Sequence, residues 1–405
     1  MRGFSRRSRV EEAFAWIDSV ATSLPQETVQ FDQAPSRVLA TEVLSERDIP
    51  PFDRSAMDGY ALRGSETDGA STYNPLEFKV LGESLPGNPF LGEVTAGTAV
   101  RIMTGAPLPA GANAVVPVEY VQETSTGVQI TTSLPIGKHV GKLGEDVSTG
   151  HTIFQPGRVL RPQDVGLLAS LGTATVSAVC QPKVQIVTTG NELVPPGMEI
   201  QPYQIFDSNS PMLKALIQRD GAILESHHLV EDDPKLLRSL LKKCTADVIL
   251  ISGGSSVGAE DHAPNLIREL GELNIHGIAM RPSSPAGMGR IGETLVFLLP
   301  GNPVSCLCAY DFFAGRALRL LGGRPETWPY RTRQMTVGKK VVSEIGRVDY
   351  CRVVFQNDQI EPLASSGASI LSSTIRADGF LVVPEELEGY PVGAKVTVYQ
   401  YDLGI

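Results

Sequence analysis

No apolar run in these 405 residues approaches the roughly 20 that a membrane-spanning helix needs, so nothing in the chain is expected to cross a bilayer. Cysteine is scarce. Cys180, Cys244, Cys306, Cys308 and Cys351 are odd in number and form no second ligand-like cluster, which argues against a disulfide framework and against a zinc ribbon. Cys306 and Cys308 are expected as thiols buried in a helix. Positive charge is also in deficit: 35 Lys and Arg against 45 Asp and Glu give a formal charge of -10. That disfavours nonspecific binding to nucleic acid or to an anionic membrane, both of which need broad positive surfaces. It does not exclude an anionic small molecule, because backbone amides and two or three cations capture a phosphate locally. Arg2, Arg6, Arg7 and Arg9 precede Glu11-Glu12 without an apolar segment, so no secretory signal is expected and the cytoplasm is the default location.

Familiar catalytic signatures are missing too. The 6 His residues, including the adjacent His227 and His228, have no Ser or Cys elbow partner, and neither HExxH nor a Walker A loop occurs. The chemistry left is metal-assisted attack at phosphorus or capture of an oxyanion, which carboxylates, glycine loops and a few arginines can perform.

What is present is a folded chain, with 42% hydrophobic and 20% charged residues and a length suited to roughly two to four domains. Val10, Phe14, Ile17 and Leu24 at helical spacing predict an amphipathic first helix. From Phe31 to about Gly150, short β-like runs such as Phe78 to Leu81, Ala114 to Val118 and Val128 to Thr131 are punctuated by Gly and Pro. A short helix is expected over Asp164 to Ser170. Beyond Pro182 strands and helices alternate: Val184 to Thr188, Pro211 to Arg219, Ala222 to Leu229, Pro234 to Lys243 and Asp247 to Ile251. Leu236, Leu237, Leu240 and Leu241 mark one core-facing side of the second helix. A long helix from Asn302 toward Leu321 ends at Gly322-Gly323-Arg324-Pro325, and residues 331–405 should form a small β barrel or sandwich. The expected fold class is α/β and multidomain. It places an N-terminal region at 1–176, with a helical linker subdomain and a β-rich part at about 45–145, a doubly wound αβ core at 177–325, and a C-terminal β barrel at 326–405.

The densest information lies between Asp247 and Ser305. The buried strand ending at Ser252 empties into Gly253-Gly254, where no side chain keeps backbone amides from an anion. After a hairpin-like interval, the strand Leu295 to Leu299 ends in Pro300-Gly301, and Asn302-Pro303 reads as a helix cap with proline in the first turn. Both loops sit at carboxyl ends of strands, where open α/β sheets bind ligands. Asp261, just past the first loop, either holds a metal or water or serves as a helix N-terminal acid. Further acids stand at element ends: Asp58 in SAMDGYAL, Glu145 and Asp146 in LGEDV, Glu192 in TTGNELV, and Asp232 and Asp233 in HLVEDDP. Clustered with Asp261 they would suit magnesium, and singly they are turn or cap acids. Thr104, in IMTGAPLPAGANAVVPVE, is a candidate phosphate contact or a turn residue.

PPFDRSAMDGYAL, IMTGAPLPAGANAVVPVE, GEDV, TGNEL, ISGGSSVGAED and LPGNPVS, in this order, resemble the molybdopterin molybdenumtransferases (MoeA and the gephyrin E domain) over nearly the whole chain. The resemblance implies an elongated homodimer of four subdomains. It also implies a reaction in which adenylylated molybdopterin and molybdate give molybdenum cofactor and AMP with Mg2+ assistance. An adenylyltransferase would be the upstream partner. Carried over motif by motif, it implies catalytic roles for Asp58, Asp146, Glu192, Asp232 and Asp261. Glu192, Asp232 and Asp261 would hold magnesium, and Asp58 and Asp146 would come from the partner subunit. Substrate contacts would fall on Thr104, Gly253, Gly254, Ser255, Ser256, Gly258, Pro300, Asn302, Pro303 and Ser305, with molybdate held by Arg281, Arg352, Ser305 and the Asn302 helix start.

The chain departs from the family where relatives carry three lysines: Gly277, Arg281 and Ser284 stand there, in GIAMRPSSP. Arginine keeps a bidentate grip on an oxyanion, while the serine offers a neutral hydrogen bond. Ala368 replaces a usual serine, leaving Ser369 and Ser372, and Ser255 adds a hydroxyl to the glycine loop. Two other readings are an adenylyltransferase, disfavoured by the β regions at both ends, and a gephyrin-like scaffold without catalysis, which would need a linker and a further domain.

Overall fold

The computed structural model describes residues 7–254, 262–364 and 367–401. The chain divides into two compact units, one of Val29–Pro35 and Thr41–Val176, the other of Met1–Thr28, Ser36–Ala40 and Ser177–Ile405.

The first of these is β-rich. Its 6-stranded sheet runs in the order Ala114–Pro117, Gly59–Leu62, Thr98–Ile102, Leu76–Ser84, Val128–Ile130, Val121–Glu123. Every pairing is antiparallel except Leu76–Ser84 with Thr98–Ile102. Tyr60, Leu62, Phe78, Val116 and Ile130 fill its core. Gly59 is dictated by close approach, since a Cβ there would lie 1.8 Å from the Val116 carbonyl oxygen. The helix Pro162–Ser170 opens with proline in its first turn, and Asp164 there accepts hydrogen bonds from Arg158 and Arg161.

The second unit begins with α1 (Val10–Val20), whose Val10, Ala13 and Ile17 are buried. The αβ core then runs β1 (Lys183–Thr189), α2 (Asn209–Arg219), β2 (Ile223–Val230), α3 (Pro234–Lys243), β3 (Val248–Ser252), α4 (Ala263–Leu270) and β4 (Glu272–His276). It continues through the short β5 (Met280–Arg281), β6 (Gly287–Ile291), β7 (Thr294–Leu299), α5 (Pro303–Ala309), a π-helical turn (Tyr310–Ala314) and α6 (Gly315–Leu321). The sheet order is β2-β1-β3-β7-β6-β4, with β2, β1, β3 and β7 parallel and β6 antiparallel to both its neighbours, β7 and β4.

The double winding follows from the alternation of the strands. Val184, Ile186, Val248, Leu250, Leu295 and Phe297 pack toward α1, α2, α5 and α6. Val187, Ile249, Ile251, Val296 and Leu298 pack toward α3 and α4. The chain leaves β1 for β2 on one side and returns to β3 on the other, so the topological switch lies between β1 and β3.

Three details differ from the sequence expectation. Helix α2 starts at Asn209, before Ser210-Pro211, because Asp207 Oδ1 accepts the Asn209 and Ser210 N–H groups at 3.0 and 3.1 Å. On α3, Leu237 and Leu241 are buried but Leu236 is 42% exposed. The long helix after Asn302 is interrupted by the π turn, where the Trp328 indole N–H donates to the Asp311 carbonyl at 2.9 Å and Arg219 and Tyr330 hold the Asp311 carboxylate.

The chain ends in a closed barrel of β8 (Arg331–Val337), β9 (Val348–Gln356), β10 (Gln359–Ala364), β11 (Gly379–Val383) and β12 (Lys395–Gln400). The pairings β9–β10, β10–β8, β8–β12, β12–β11 and β11–β9 form a ring, which decides between barrel and sandwich. The two residues of β5 pair with β9 and fasten the barrel to the core. The expected classes, an αβ core, a β-rich N-terminal part and a C-terminal barrel, are those observed. Among the described residues no helix is long and apolar enough to cross a membrane.

Candidate substrate site

The carboxyl ends of β1, β3 and β7 open into a cavity of about 650 Å³ at the switch point. Thr188, Thr189 and Gly190 come from β1 and its exit, Ser252, Gly253 and Gly254 from β3, and Pro300 to Pro303 from the loop after β7. Gly253 has φ of 96°, and a Cβ there would sit 2.3 Å from the Thr189 carbonyl oxygen, so only glycine fits this turn. Its N–H donates to the Leu299 carbonyl at 3.2 Å, joining the β3 and β7 exits.

Two carboxylates from the expected metal set, Glu192 and Asp232, line this cavity, and the Asp232 N–H donates to Asn191 Oδ1 at 3.1 Å. Asp261, the third, lies outside the described residues, as do Ser255, Ser256 and Gly258. Among the described residues no group of three or more His, Cys, Asp or Glu is placed to hold a metal ion. A donor set of two carboxylates still fits magnesium, which takes one or two carboxylates plus waters and substrate phosphates.

A second cavity, of about 290 Å³, shares Pro285, Pro300 and Asn302 with the first. Arg281, Ser283, Ser284, Ser305, Arg352 and Ala368 contribute to its wall. Arg281 donates to Asp349 Oδ2 at 2.5 Å, and that buried carboxylate also accepts Ser343 Oγ at 2.9 Å and Arg347 Nε at 3.0 Å. Arg352, 1% exposed, reaches the wall from barrel strand β9. The Val304 N–H at the α5 start donates to the Ala368 carbonyl at 3.0 Å, so one amide expected for the oxyanion is already used. Ser283 Oγ donates to the Ser305 carbonyl at 2.6 Å. Ser369 lines the larger cavity, whereas Ser372 is exposed and lines neither. The substituted positions thus leave the smaller cavity a wall with two arginines and several hydroxyls, and among the described residues no lysine lines either cavity.

Asp58, Thr104 and Asp146 belong to the β-rich unit. The Thr104 N–H and Oγ1 both donate to Asp58 Oδ1 at 2.7 Å, and these bonds hold the Asp58 carboxyl below its ordinary range. Thr104 therefore orients Asp58. Asp146 is exposed, and its N–H donates to the Ile49 carbonyl at 3.0 Å. Cys306 and Cys308 are buried in α5 as expected, and burial pushes the Cys306 thiol up to about 12, which removes it as a nucleophile.

Sequence reasoning missed Thr188, Thr189, Asp207 and Asn209. Asp207 lines the larger cavity at 3% exposure, with His227 Nε2 3.8 Å from its Oδ2. Burial, with Lys214 nearby, lowers the pKa of His227 and favours the neutral imidazole. Asn209 Nδ2 donates to Ser252 Oγ at 2.9 Å and to the Gly301 carbonyl at 2.8 Å, tying both loop exits to α2. The available signal was the string Asp207-Ser208-Asn209-Ser210, a cap signature whose Asp207 stands four residues upstream of the proline that drew attention.

The fold and site define an α/β protein with a ligand cavity at a sheet switch point beside a smaller cavity walled by arginines and hydroxyls. Family models match in sequence: the MoeA N-terminal region (domain I and II) over residues 8–172, a probable molybdopterin binding domain over 185–319, and the MoeA C-terminal region (domain IV) over 334–401. Molybdopterin molybdenumtransferase 2 of Mycobacterium tuberculosis is 34% identical over 389 residues, covering 92% of this chain and 94% of its own. The molybdopterin molybdenumtransferase of Haemophilus influenzae is 31% identical over 387 residues, 93% of this chain and 94% of its own. The crystal structure of a molybdopterin biosynthesis MoeA protein from Pyrococcus horikoshii superposes with a TM-score of 0.81 at 34% identity, covering 98% of this chain and all of that one. The chain belongs to the molybdopterin molybdenumtransferase family, and it is a transferase of molybdenum cofactor biosynthesis.

Proposed function

We propose that the protein takes adenylylated molybdopterin and molybdate and yields molybdenum cofactor and AMP. The observation that carries this reading is the pair of cavities sharing the Pro300 and Asn302 wall, one floored by glycine turns and flanked by carboxylates, the other lined by arginines and hydroxyls. A phosphate-bearing ligand and a tetrahedral dianion ask for such neighbours.

In this reading Gly253 and Gly254 let backbone amides approach the phosphate link. Glu192 and Asp232 would hold magnesium against the substrate phosphates, with Asp261 as a further donor, and Ser255, Ser256 and Gly258 would add substrate contacts. When bound, the ion supplies charge neutralisation at phosphate oxygens. Arg281, Arg352, Ser284 and Ser305 keep the molybdate dianion next to the point where the nucleotide leaves. Pro300, Asn302 and Pro303 separate the two ligands and fix their approach. A homodimer, a cytoplasmic location, delivery by an adenylyltransferase, and roles for Asp58, Thr104, Asp146 and Ser372 belong to the same proposal.

The test supplies purified protein with adenylylated molybdopterin, magnesium and molybdate, and follows AMP and cofactor together. AMP release coupled to cofactor formation is expected, and absence of AMP overturns the reading. Matches across more than nine-tenths of the chain favour this activity over that of a single-domain adenylyltransferase.

A further inference from the structure

Beside the smaller cavity stands a carboxylate that packing alone does not explain. Asp349 lies two residues before Cys351 on β9, on the strand face that Cys351 turns into the barrel interior, and it is 1% exposed. Burying an ion pair strips water from both partners, and that penalty offsets most of their attraction, so stability is a weak reason for a charge here. What the carboxylate holds is more informative.

Arg281 and Asp349 are direct partners where β5 pairs with β9, so an arginine of the αβ core stands beside an aspartate of the barrel. Oδ2 accepts Arg281 Nη2 at 2.5 Å and Ser343 Oγ at 2.9 Å, while Oδ1 accepts Arg347 Nε at 3.0 Å. Both oxygens are engaged, which fixes the carboxylate plane. A guanidinium is a planar fork, so fastening one nitrogen sets the direction of its remaining donors; a lysine ammonium, the group of the family pattern at this place, has no plane to set. The Arg281 side chain keeps 31% exposure and lines the smaller cavity, whereas that of Asp349 is 2% exposed and does not line it.

Charge and position act in opposite directions. A carboxylate near an anion opposes the anion, but this one is shared with Arg347, whose other contact, Nη1 to Glu344 Oε2 at 2.9 Å, goes to a side chain 70% exposed and screened by water. Two arginines on one buried carboxylate leave a positive excess.

We propose that Asp349 is a positioning residue: through Arg281 it sets the guanidinium plane that meets the metal oxyanion, and Ser343 and Arg347 hold the carboxylate for that task. This rests on the oxyanion role proposed above for Arg281. An arginine standing in for a lysine thereby gains the fixed orientation that its fork requires.

The test measures equilibrium binding of molybdate to the full chain by dialysis, for the parent, Asp349→Asn, Arg281→Ala and the double variant. Asparagine keeps the shape and removes the negative charge, so electrostatics alone predicts tighter binding. Positioning predicts the reverse, a loss of about fivefold, smaller than the loss of about tenfold for Arg281→Ala. In the Arg281→Ala background the same Asp349→Asn change should stay within about twofold, because the group it acts through is gone. Should Asp349→Asn fail to fold by circular dichroism, Ser343→Ala takes its place: it removes one bond to Oδ2, with a loss of about threefold expected only where Arg281 is present.

Unchanged or tighter molybdate binding in the variant overturns the proposal. So does an equal loss with and without Arg281, which would make Asp349 structural. A parent protein that binds no molybdate overturns the oxyanion site itself, and the two failures are thereby distinct.

Discussion

Replacing Gly253 by alanine should damage both stability and turnover, and the structure sets the size of each effect. The residue has φ of 96°, and the added Cβ would lie 2.3 Å from the Thr189 carbonyl oxygen and 3.0 Å from Thr189 Oγ1. Holding an alanine at such a φ costs about 1–2 kcal/mol, and relieving the clash pulls the Gly253 N–H from Leu299, about 1 kcal/mol more. A total near 2–3 kcal/mol lowers the melting temperature by about 4–12 °C in a unit of this size. Displacing the loop by about 1 Å also misplaces amides at the phosphate, for which a loss of about 100-fold in AMP release is expected.

Gly254 and Gly301 calibrate the argument. A Cβ at Gly254 (φ 54°) meets only Thr189 Oγ1 at 3.2 Å, and one at Gly301 meets the Gly253 Cα at 3.7 Å, ordinary contact. Gly254→Ala should therefore cost about 1–2 kcal/mol and Gly301→Ala within about 0.5 kcal/mol. Circular dichroism melts and AMP release on the three variants test the ranking. A Gly253→Ala protein that melts at or above Gly301→Ala would refute the steric reasoning.

Three further outcomes are expected. Arg281→Ala should raise the molybdate concentration for half-maximal cofactor formation by about tenfold, because a charge-assisted contact at the smaller cavity is lost; a molybdate titration checks it, and an unchanged midpoint removes Arg281 from the oxyanion site. Arginine contacts hold the pKa of Asp164 far below its ordinary value, so its stabilisation is complete above the unfolded pKa near 3.9 and fades as pH falls through the folded pKa. Arg158 and Arg161 are 35% and 56% exposed, which screens the pairs, so Asp164→Asn should cost about 2 kcal/mol at pH 7. Urea denaturation should show that gap constant from pH 7 to about pH 5 and closing below about pH 4. Thr104→Val removes one of the two bonds to Asp58 Oδ1, so the Asp58 pKa should rise toward its ordinary value while staying depressed by the backbone N–H; carboxyl NMR titration reads it, and an unmoved pKa would deny Thr104 its orienting role.

The fold was legible where local signals agree. Doubly buried strands such as Val248–Ser252 announce themselves as continuous apolar runs, and proline at the start of Pro234–Lys243 and Pro303–Ala309 marks helix entries. The start of α2 was misjudged because the cap is Asp207, a side chain acting two residues ahead of the helix, while Pro211 attracted the boundary. Barrel closure was not legible in the strand pattern, which left barrel and sandwich open, because it depends on β11 pairing with both β9 and β12, a non-local property of the ring; the C-terminal barrel expected with the family resemblance is the one observed.

The same distinction applies to the site. Glycine turns and acids at strand ends carry compositional marks, whereas Thr188 and Asn209 look like ordinary strand and cap residues. Only packing reveals that they line the cavity. The Asp349 partner of Arg281 was equally silent, being 68 residues away in sequence.

The wall of the smaller cavity has a temporal meaning. Arg281 and Ser284 precede the last strand–helix unit and Ser305 lies within it, in α5, but Arg352, Gly367 and Ala368 belong to the barrel segment made afterwards. A chain emerging from the ribosome folds its earlier units first. The strand exits that floor the larger cavity are translated before the barrel, and the smaller cavity is walled only when the ring closes. On the function proposed above, the oxyanion's compartment depends on the barrel segment for Arg352, its second cation, which is translated after every strand of the αβ sheet.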